Sequence, residues 1–302
     1  MVAALIITAG RTARHNNFEP MREVGTIPAI QRIVMVFQLA GIERIVVVCG
    51  ENGDKTEKLA ANMNVVFLHS PRDAEMLDNV KIGLAYLRDK CSGALITHVN
   101  VPLFSAETVH ALMAVESPVC VPLYQGSTGH PVLLNSKHFQ AVLSYSGEHG
   151  LAGAIKSSGL RRCLVEVDDK GVTANIKGKE NYEHLLAEHS LIELHPDIRI
   201  RLIREKPFYG PGPHQLLQLT EETNSLIEAC RRTGISYSKG RKIIAIMEQQ
   251  TGYSIIESKQ GGNLGGHSSV TKEGKKLMRS YGEFCAEAKQ YLQELFAKYF
   301  SH

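Results

Sequence analysis

The sequence predicts a two-part α/β protein. A helix-covered, mostly parallel sheet is expected over residues 1–190, and a smaller, largely helical domain with a β-hairpin wing over residues 194–302. Three observations predict this. Short apolar runs alternate with amphipathic stretches through the first two-thirds of the chain. The pattern turns to helical periodicity after about residue 190. A single glycine-rich segment at 259–267 then interrupts it. A repeating strand-then-helix order implies right-handed crossovers and strands covered by helices.

The apolar, β-rich runs 2–8, 44–49, 64–68, 93–99 and 118–122 predict five strands. Helical patterns lie between them near 28–40, 53–62, 74–89 and 105–115. The first places Ile30, Ile33, Val34 and Phe37 on one face, the 3.6-residue period of a half-buried helix. Ligands of such sheets bind at the carboxyl ends of strands, near the topological switch point. The loop after the first strand, residues 9–26, is therefore the first candidate site. Asp168-Asp169, between two strand-like runs, predicts a turn. Asp197-Ile-Arg-Ile-Arg-Leu-Ile-Arg204 alternates polar and apolar residues through Leu202 and predicts a half-buried strand over 197–204, after which Pro207 and Gly210-Pro-Gly-Pro213 break the chain. The domain boundary is expected near 188–196.

Further on, a helix from Ser225 to Thr233 ends at Gly234-Ile235, and a second begins with Ser236 as N-cap and runs to about Gln250. Two helices joined by a tight glycine turn form a helix-turn-helix, whose second helix enters the major groove. Ser236, Tyr237, Ser238, Lys239, Arg241 and Lys242 put small polar and cationic groups on its first turns. Ile243, Ile246 and Met247 are expected to pack against the first helix. Ser254–Ser258 and Ser268–Thr271 predict two short strands around the tip Lys259–His267, a wing suited to backbone phosphates. The final helix, 272–300, spaces Leu277, Tyr281, Phe284, Ala288, Tyr291 and Leu295 by alternating fours and threes. That coiled-coil-like seam predicts a homodimer reading two half-sites.

Composition narrows the function classes. With 302 residues, 43% hydrophobic and 22% charged, the chain is globular rather than disordered or collagen-like. No apolar run reaches a membrane-spanning length, and Met1–Ile7 lacks the basic flank of a signal segment. Cysteines 49, 91, 120, 163, 230 and 285 are scattered without a Cys-x-x-Cys, which predicts reduced thiols in a cytoplasmic protein. Net charge is +3, yet residues 1–210 hold 22 Lys/Arg against 22 Asp/Glu, while 231–279 hold ten against three. A basic block behind a neutral domain is the footprint of a polyanion partner. The thirteen histidines show no His-Glu-x-x-His spacing, and there is no phosphate-binding Gly-x-x-x-x-Gly-Lys-Ser/Thr loop. No metal centre is expected. His98 and His130 lie near the expected cleft.

The first loop reads Thr8-Ala9-Gly10-Arg11-Thr12-Ala13-Arg14. A glycine and two arginines directly after a strand suit a triphosphate, through close backbone N–H groups and forked guanidiniums. Together with Gly41-Ile-Glu-Arg-Ile-Val-Val-Val48, Val80-Lys-Ile-Gly-Leu84, Val101-Pro-Leu-Phe-Ser105, Gly129-His-Pro-Val132 and Gly147-Glu-His-Gly150, it makes residues 2–187 resemble the MobA/MocA-type molybdenum-cofactor nucleotidyltransferases. That family transfers a nucleotidyl group from CTP or GTP onto a molybdopterin. The resemblance implies a Rossmann-like three-layer nucleotidyltransferase domain with a ligand site at Ala9, Gly10, Arg11, Arg14 and Asn100. It also exposes three departures. The family's loop lysine aligns with Glu19, its metal-binding aspartate with Asn100, and its later Asp-x-Asp with Asn175-Ile176-Lys177. Nucleotidyl transfer needs cationic charge on the phosphates and carboxylates on Mg²⁺. A neutral amide lacks the charge a hard cation prefers. Metal-assisted catalysis is therefore expected to be lost or severely weakened, with anion binding by Arg11 and Arg14 retained.

Residues 197–285 resemble the winged-helix domain of the molybdate-responsive ModE-type regulators, related to the LysR-type winged helix. The matching residues are Gly234-Ile-Ser-Tyr-Ser238, Gly261-Gly262 with Gly265-Gly266, and Val270-Thr271-Lys-Glu-Gly274. No molybdate-binding domain follows them in this sequence. The resemblance implies DNA contact by Ser236, Tyr237, Ser238, Lys239, Arg241 and Lys242, with Lys259, Gly261 and Gly262 against phosphate. The combined expectation is a dimeric transcription regulator that binds double-stranded DNA and serves molybdenum- or molybdopterin-related genes. Its degenerate nucleotidyltransferase-like domain would sense CTP, GTP or a pterin. The alternative is an active CTP/GTP:molybdopterin nucleotidyltransferase that also binds DNA, its Mg²⁺ held by another carboxylate such as Asp168 or Glu180. A third reading is a scaffold whose first domain binds only proteins.

Overall fold

The structure, a computed structural model, describes residues 1–8, 21–50, 53–61, 63–176, 186, 196–259 and 267–300, with the side chains of residues 258 and 259 outside that description. The chain divides into two compact units, Met1–Ile192 and Glu193–His302.

In chain order the first unit runs β1 (Val2–Ile7), β2 (Glu23–Val24), β3 (Ile27–Pro28), α1 (Ala29–Leu39), β4 (Ile45–Cys49), α2 (Gly53–Ala60), β5 (Val65–His69), α3 (Met76–Leu87), β6 (Gly93–His98) and α4 (Ala106–Met113). It continues with β7 (Val119–Tyr124), β8 (Ser127–Thr128), β9 (Val132–Asn135), α5 (Phe139–Leu143), α6 (Gly150–Ser157) and β10 (Arg162–Glu166). Among the described residues, eight strands form one sheet in the order β10-β7-β9-β6-β1-β4-β5, with β8 paired to β7 beside that path. β1 runs parallel to β4, with Ile6 opposite Val47, and to β6, with Ile6 opposite Thr97. Residues Ala3 to Ile6 are fully buried, as a strand covered on both faces must be. In α1 the expected face is the buried one: Ile30, Ile33, Val34 and Phe37 are all at 0% exposure.

The expectation of a mostly parallel sheet holds: β5-β4-β1-β6 and the β7–β10 pair are parallel, and among the described strands of this sheet only β9 and β8 run against their neighbours. β9 is antiparallel to both β6 and β7. The cause is a two-residue hairpin turn at Gln125-Gly126, between Tyr124 and its partner Ser127. Both central residues have positive φ, 46° and 80°, the primed-turn geometry that matches strand twist and reverses the chain.

The second unit contains β11 (Leu202–Ile203), β12 (Pro207–Tyr209), α7 (Pro211–Thr223), α8 (Leu226–Arg232), α9 (Tyr237–Thr251), β13 (Ile256–Lys259), β14 (His267–Val270) and α10 (Lys272–Phe300). The eight-residue strand expected at 197–204 shrinks to Leu202–Ile203. Its antiparallel partner β12 is only three residues long, and Ile203 stays 62% exposed. Serine caps open both middle helices. Ser225 Oγ accepts from Glu228 N at 3.3 Å and Ser236 Oγ from Lys239 N at 3.2 Å, each satisfying a helix donor that would otherwise lack a partner. Gly234, at φ 68°, turns the chain between the helices. β13 and β14 pair antiparallel, Lys259 opposite His267. Among the described residues no helix is long and apolar enough to cross a membrane.

The buried face of α9 also differs from the expected Ile243, Ile246 and Met247. It consists of Gly240, Ile244, Met247 and Gln250, with Ile243 and Ile246 only half-buried. The helices approach so closely that a Cβ on Gly240 would lie 2.2 Å from Cys230 Sγ. This contact, rather than the largest side chains, sets the rotation of α9.

Candidate functional site

Strand order reverses at β1, with β4 on one side and β6 on the other, the switch point beyond whose carboxyl ends ligands of such sheets bind. Thr8 follows β1, and its Oγ1 donates to Val48 O at 3.0 Å. His98 ends β6 and Asn100 follows two residues on, 8% exposed. Asn100 Nδ2 donates to Asn175 Oδ1 at 3.0 Å, and the Asn100 carbonyl accepts from Ile176 N at 2.9 Å. The Arg22 guanidinium donates to the carbonyl of that same Ile176. His130 N donates to Val172 O at 2.9 Å, and its ring meets His98 edge-to-face, centroids 4.8 Å apart. Segment 172–176 thus laces the end of β6 to the approach to β9. Burial lowers the His130 pKa against a smaller opposing effect of the Ile96 carbonyl, which favours a neutral imidazole.

This cluster offers amides, imidazoles and a guanidinium. The turn expected at 168–169 is structural: buried Asp169 accepts from Ser105 N (2.8 Å), Thr108 Oγ1 (2.6 Å) and Gly171 N (2.8 Å), while Asp168 is exposed. A mutually bonded pair of neutral amides does not fit a hard divalent cation, which takes charged or water oxygens in open coordination. The described residues contain no group of three or more His, Cys, Asp or Glu able to hold a metal ion. The expected ligand residues Ala9, Gly10, Arg11 and Arg14 lie outside the described residues, as do Glu19, Lys177 and Glu180. Thr8 opens the first-loop motif and Arg22 lies within the candidate loop 9–26, but the sequence singles out neither as a site residue. The signals available for Arg22 are its place in that loop and directly before the first hairpin.

A second candidate surface lies on α9. Ser236, Tyr237, Ser238, Lys239, Arg241 and Lys242 all reach the surface, around the buried Gly240. Ser236 also serves as the cap. Lys259 ends β13, with its side chain outside the described residues together with Gly261 and Gly262. The charge count of window 231–279 overstates its free positive charge, because the compensating acids precede it. Glu228 binds Arg231 at 2.8 Å and Arg232 at 2.7 Å, and Glu221 binds Lys275 at 2.6 Å. The hydrogen bond from Arg231, helped by Arg232 and opposed by burial, pulls the Glu228 carboxyl down to about 2.

Parallel strands around a switch point, with helices on the sheet, define a Rossmann-like α/β unit. The chain belongs to the MobA-like NTP transferase domain family, which matches residues 4–163, more than half of its length. No curated protein matches the sequence significantly. Among solved structures, a nucleotidyl transferase from Methanothermobacter thermautotrophicus has a TM-score of 0.55 at 18% identity, covering 62% of this chain and 99% of that one. A Mycobacterium sp. strain JC1 homologue of a Mycobacterium tuberculosis protein has a TM-score of 0.54 at 18% identity, covering 64% and 98%. The 4-diphosphocytidyl-2C-methyl-D-erythritol synthase of Anaerococcus prevotii has a TM-score of 0.51 at 12% identity, covering 62% and 97%. At these identities the likeness is one of fold.

Proposed function

We propose that the protein is a transcription regulator whose second unit is a winged helix-turn-helix that binds double-stranded DNA. Its NTP-transferase unit would serve as a sensor for CTP, GTP or a molybdopterin-type pterin. The observation that carries this reading is the α8–α9 pair: a glycine-turned, serine-capped helix pair with Tyr237, Lys239, Arg241 and Lys242 exposed on its second helix. The hairpin β13–β14 after it supports the assignment of a wing. The Asn100–Asn175 pair, where the family resemblance places carboxylates, supports ligand binding without metal-assisted transfer. Ligand can change DNA affinity only through different affinities for two conformations of the protein.

The test titrates the full chain with duplex DNA across a salt series, with and without CTP or GTP. Salt-sensitive binding is expected, because phosphate contacts release counterions. Absence of DNA binding at low salt overturns the reading.

Family membership itself favours a second reading, an active CTP/GTP:molybdopterin nucleotidyltransferase that also binds DNA. Pyrophosphate release from CTP or GTP with a molybdopterin acceptor, abolished by chelation, would establish it. Binding of neither nucleotide nor pterin would favour the scaffold.

A further inference from the structure

The six cysteines lie far apart in sequence, but strand pairing sets two of them face to face. β10 runs parallel to β7 with Cys163 directly opposite Cys120. Opposed residues of paired strands point to the same face of a sheet. That face is the covered one here: Cys120 belongs to the apolar core of the first unit, and Cys163 packs against it. Neighbouring strands lie about 4.8 Å apart, inside the roughly 4.4–6.8 Å that separates Cα atoms joined through a disulfide. The two thiols also sense each other. Burial raises the Cys120 pKa, and the nearby Cys163 raises it further, against a weaker opposing hydrogen bond from Ser117.

Their access differs. Cys120 is fully buried, and its thiol donates to Val115 O at 3.6 Å. Cys163 is half-buried, on the strand that ends the described sheet. We propose that Cys120 and Cys163 form a redox-responsive dithiol, which a small-molecule disulfide such as oxidised glutathione converts to an intrachain disulfide. The Cys163 thiolate attacks one sulfur of the small molecule, forming a mixed disulfide and releasing a thiolate. Cys120 then gives up its proton, and its sulfur attacks that of Cys163, expelling the second small thiolate. The two protein thiols are oxidised, the small disulfide is reduced to two thiols, and the two protons end on the latter. Only the half-buried thiol has to meet the oxidant. Strand spacing exceeds the roughly 3.8 Å between Cβ atoms of a relaxed disulfide. Closure therefore draws β10 toward β7 and leaves a bond that thiols readily reduce. The chain leaving β10 turns at Asp169 and enters segment 172–176, which bonds to Asn100 and His130. Oxidation thus fastens that segment at its root, whether the first unit binds nucleotide, pterin or protein.

The test incubates the full chain with oxidised glutathione and maps its thiols by alkylation, proteolysis and mass spectrometry. Two of the six free thiols should be lost, with a cross-linked Cys120–Cys163 peptide, and dithiothreitol should restore both. Cys120→Ser should stop at a mixed disulfide on Cys163, and Cys163→Ser should leave Cys120 unmodified. If both thiols stay free in the parent chain, the proposal is overturned. A persistent mixed disulfide on Cys163 of the parent chain, or a cross-link elsewhere, overturns it too. Amide exchange over residues 162–166 should slow on oxidation, and an unchanged rate overturns the fastening of β10.

Discussion

Asn100 and Asn175 share a 3.0 Å amide–amide hydrogen bond, and one atom's exchange at either residue would return a charge to the site. Asn100→Asp combined with Glu19→Lys is expected to raise Mg²⁺-dependent affinity for CTP or GTP. Calorimetric titration with and without Mg²⁺ checks this, and an unchanged titration would remove Asn100 from the nucleotide site. Gly240 tests packing instead. Glycine to alanine inside a helix ordinarily stabilises by about 1 kcal/mol, but here the new methyl would lie 2.2 Å from Cys230 Sγ. Overpacking of that kind costs about 1–3 kcal/mol, so we expect Gly240→Ala to lower Tm. Adding Cys230→Ala should recover most of the loss. A stabilised single variant would show that α8 and α9 are less closely packed than described.

At the scale of the element, α9 depends on its cap and its setting. Ser236→Ala removes an acceptor for Lys239 N and should cost about 1 kcal/mol of stability. Arg241→Ala should instead leave stability alone and weaken DNA binding by about 1–3 kcal/mol if it reads a base edge. A loss uniform across DNA sequences would reassign Arg241 to phosphate. The second unit should also be acid-sensitive, for two reasons of the same sign. Glu228 is held down to about 2 against an ordinary 4.5, so its contribution is complete above 4.5 and fades as pH falls toward 2. Burial lowers the His214 pKa below 6.5, so protonation as pH drops through that range opposes the fold. Glu228→Gln should flatten the acid limb of a Tm-against-pH curve, and an unchanged limb would remove Glu228 from the account. The serine caps and the buried face of α1 were legible in the sequence, because caps and helical periodicity are local. The face of α9 was legible only in Met247, since a contact between two small residues, Gly240 and Cys230, turns Ile243 and Ile246 partly outward. The antiparallel insertion of β9 was equally hidden, because strand order depends on pairing between distant segments. The resemblance drew attention to Asn100 and Asn175, which the fold brings into contact, whereas the bond from Arg22 to a carbonyl 154 residues away has no local signature.

Over the whole molecule, charge is distributed unevenly: a neutral stretch over 1–210 precedes the basic window. Because Glu228 and Glu221 pair with Arg231, Arg232 and Lys275, fewer than ten cations should contribute to the salt dependence of DNA affinity. Lys239→Ala with Lys242→Ala should reduce that slope by about one for each phosphate the variant no longer touches. An unaltered slope would move the phosphate-binding role to other cations. The sheet has a consequence of another kind, for how the protein is made. β1 leaves the ribosome ahead of both its neighbours, β4 at 45–49 and β6 at 93–98. At about 5–20 residues per second, the segment from Val2 to Ile7 waits roughly 5–20 s for its second neighbour, with an entirely apolar strand unpaired at both edges. Nascent chains stalled before β6 should therefore be degraded readily by protease and held by chaperones. Those stalled after β9 has emerged should begin to resist.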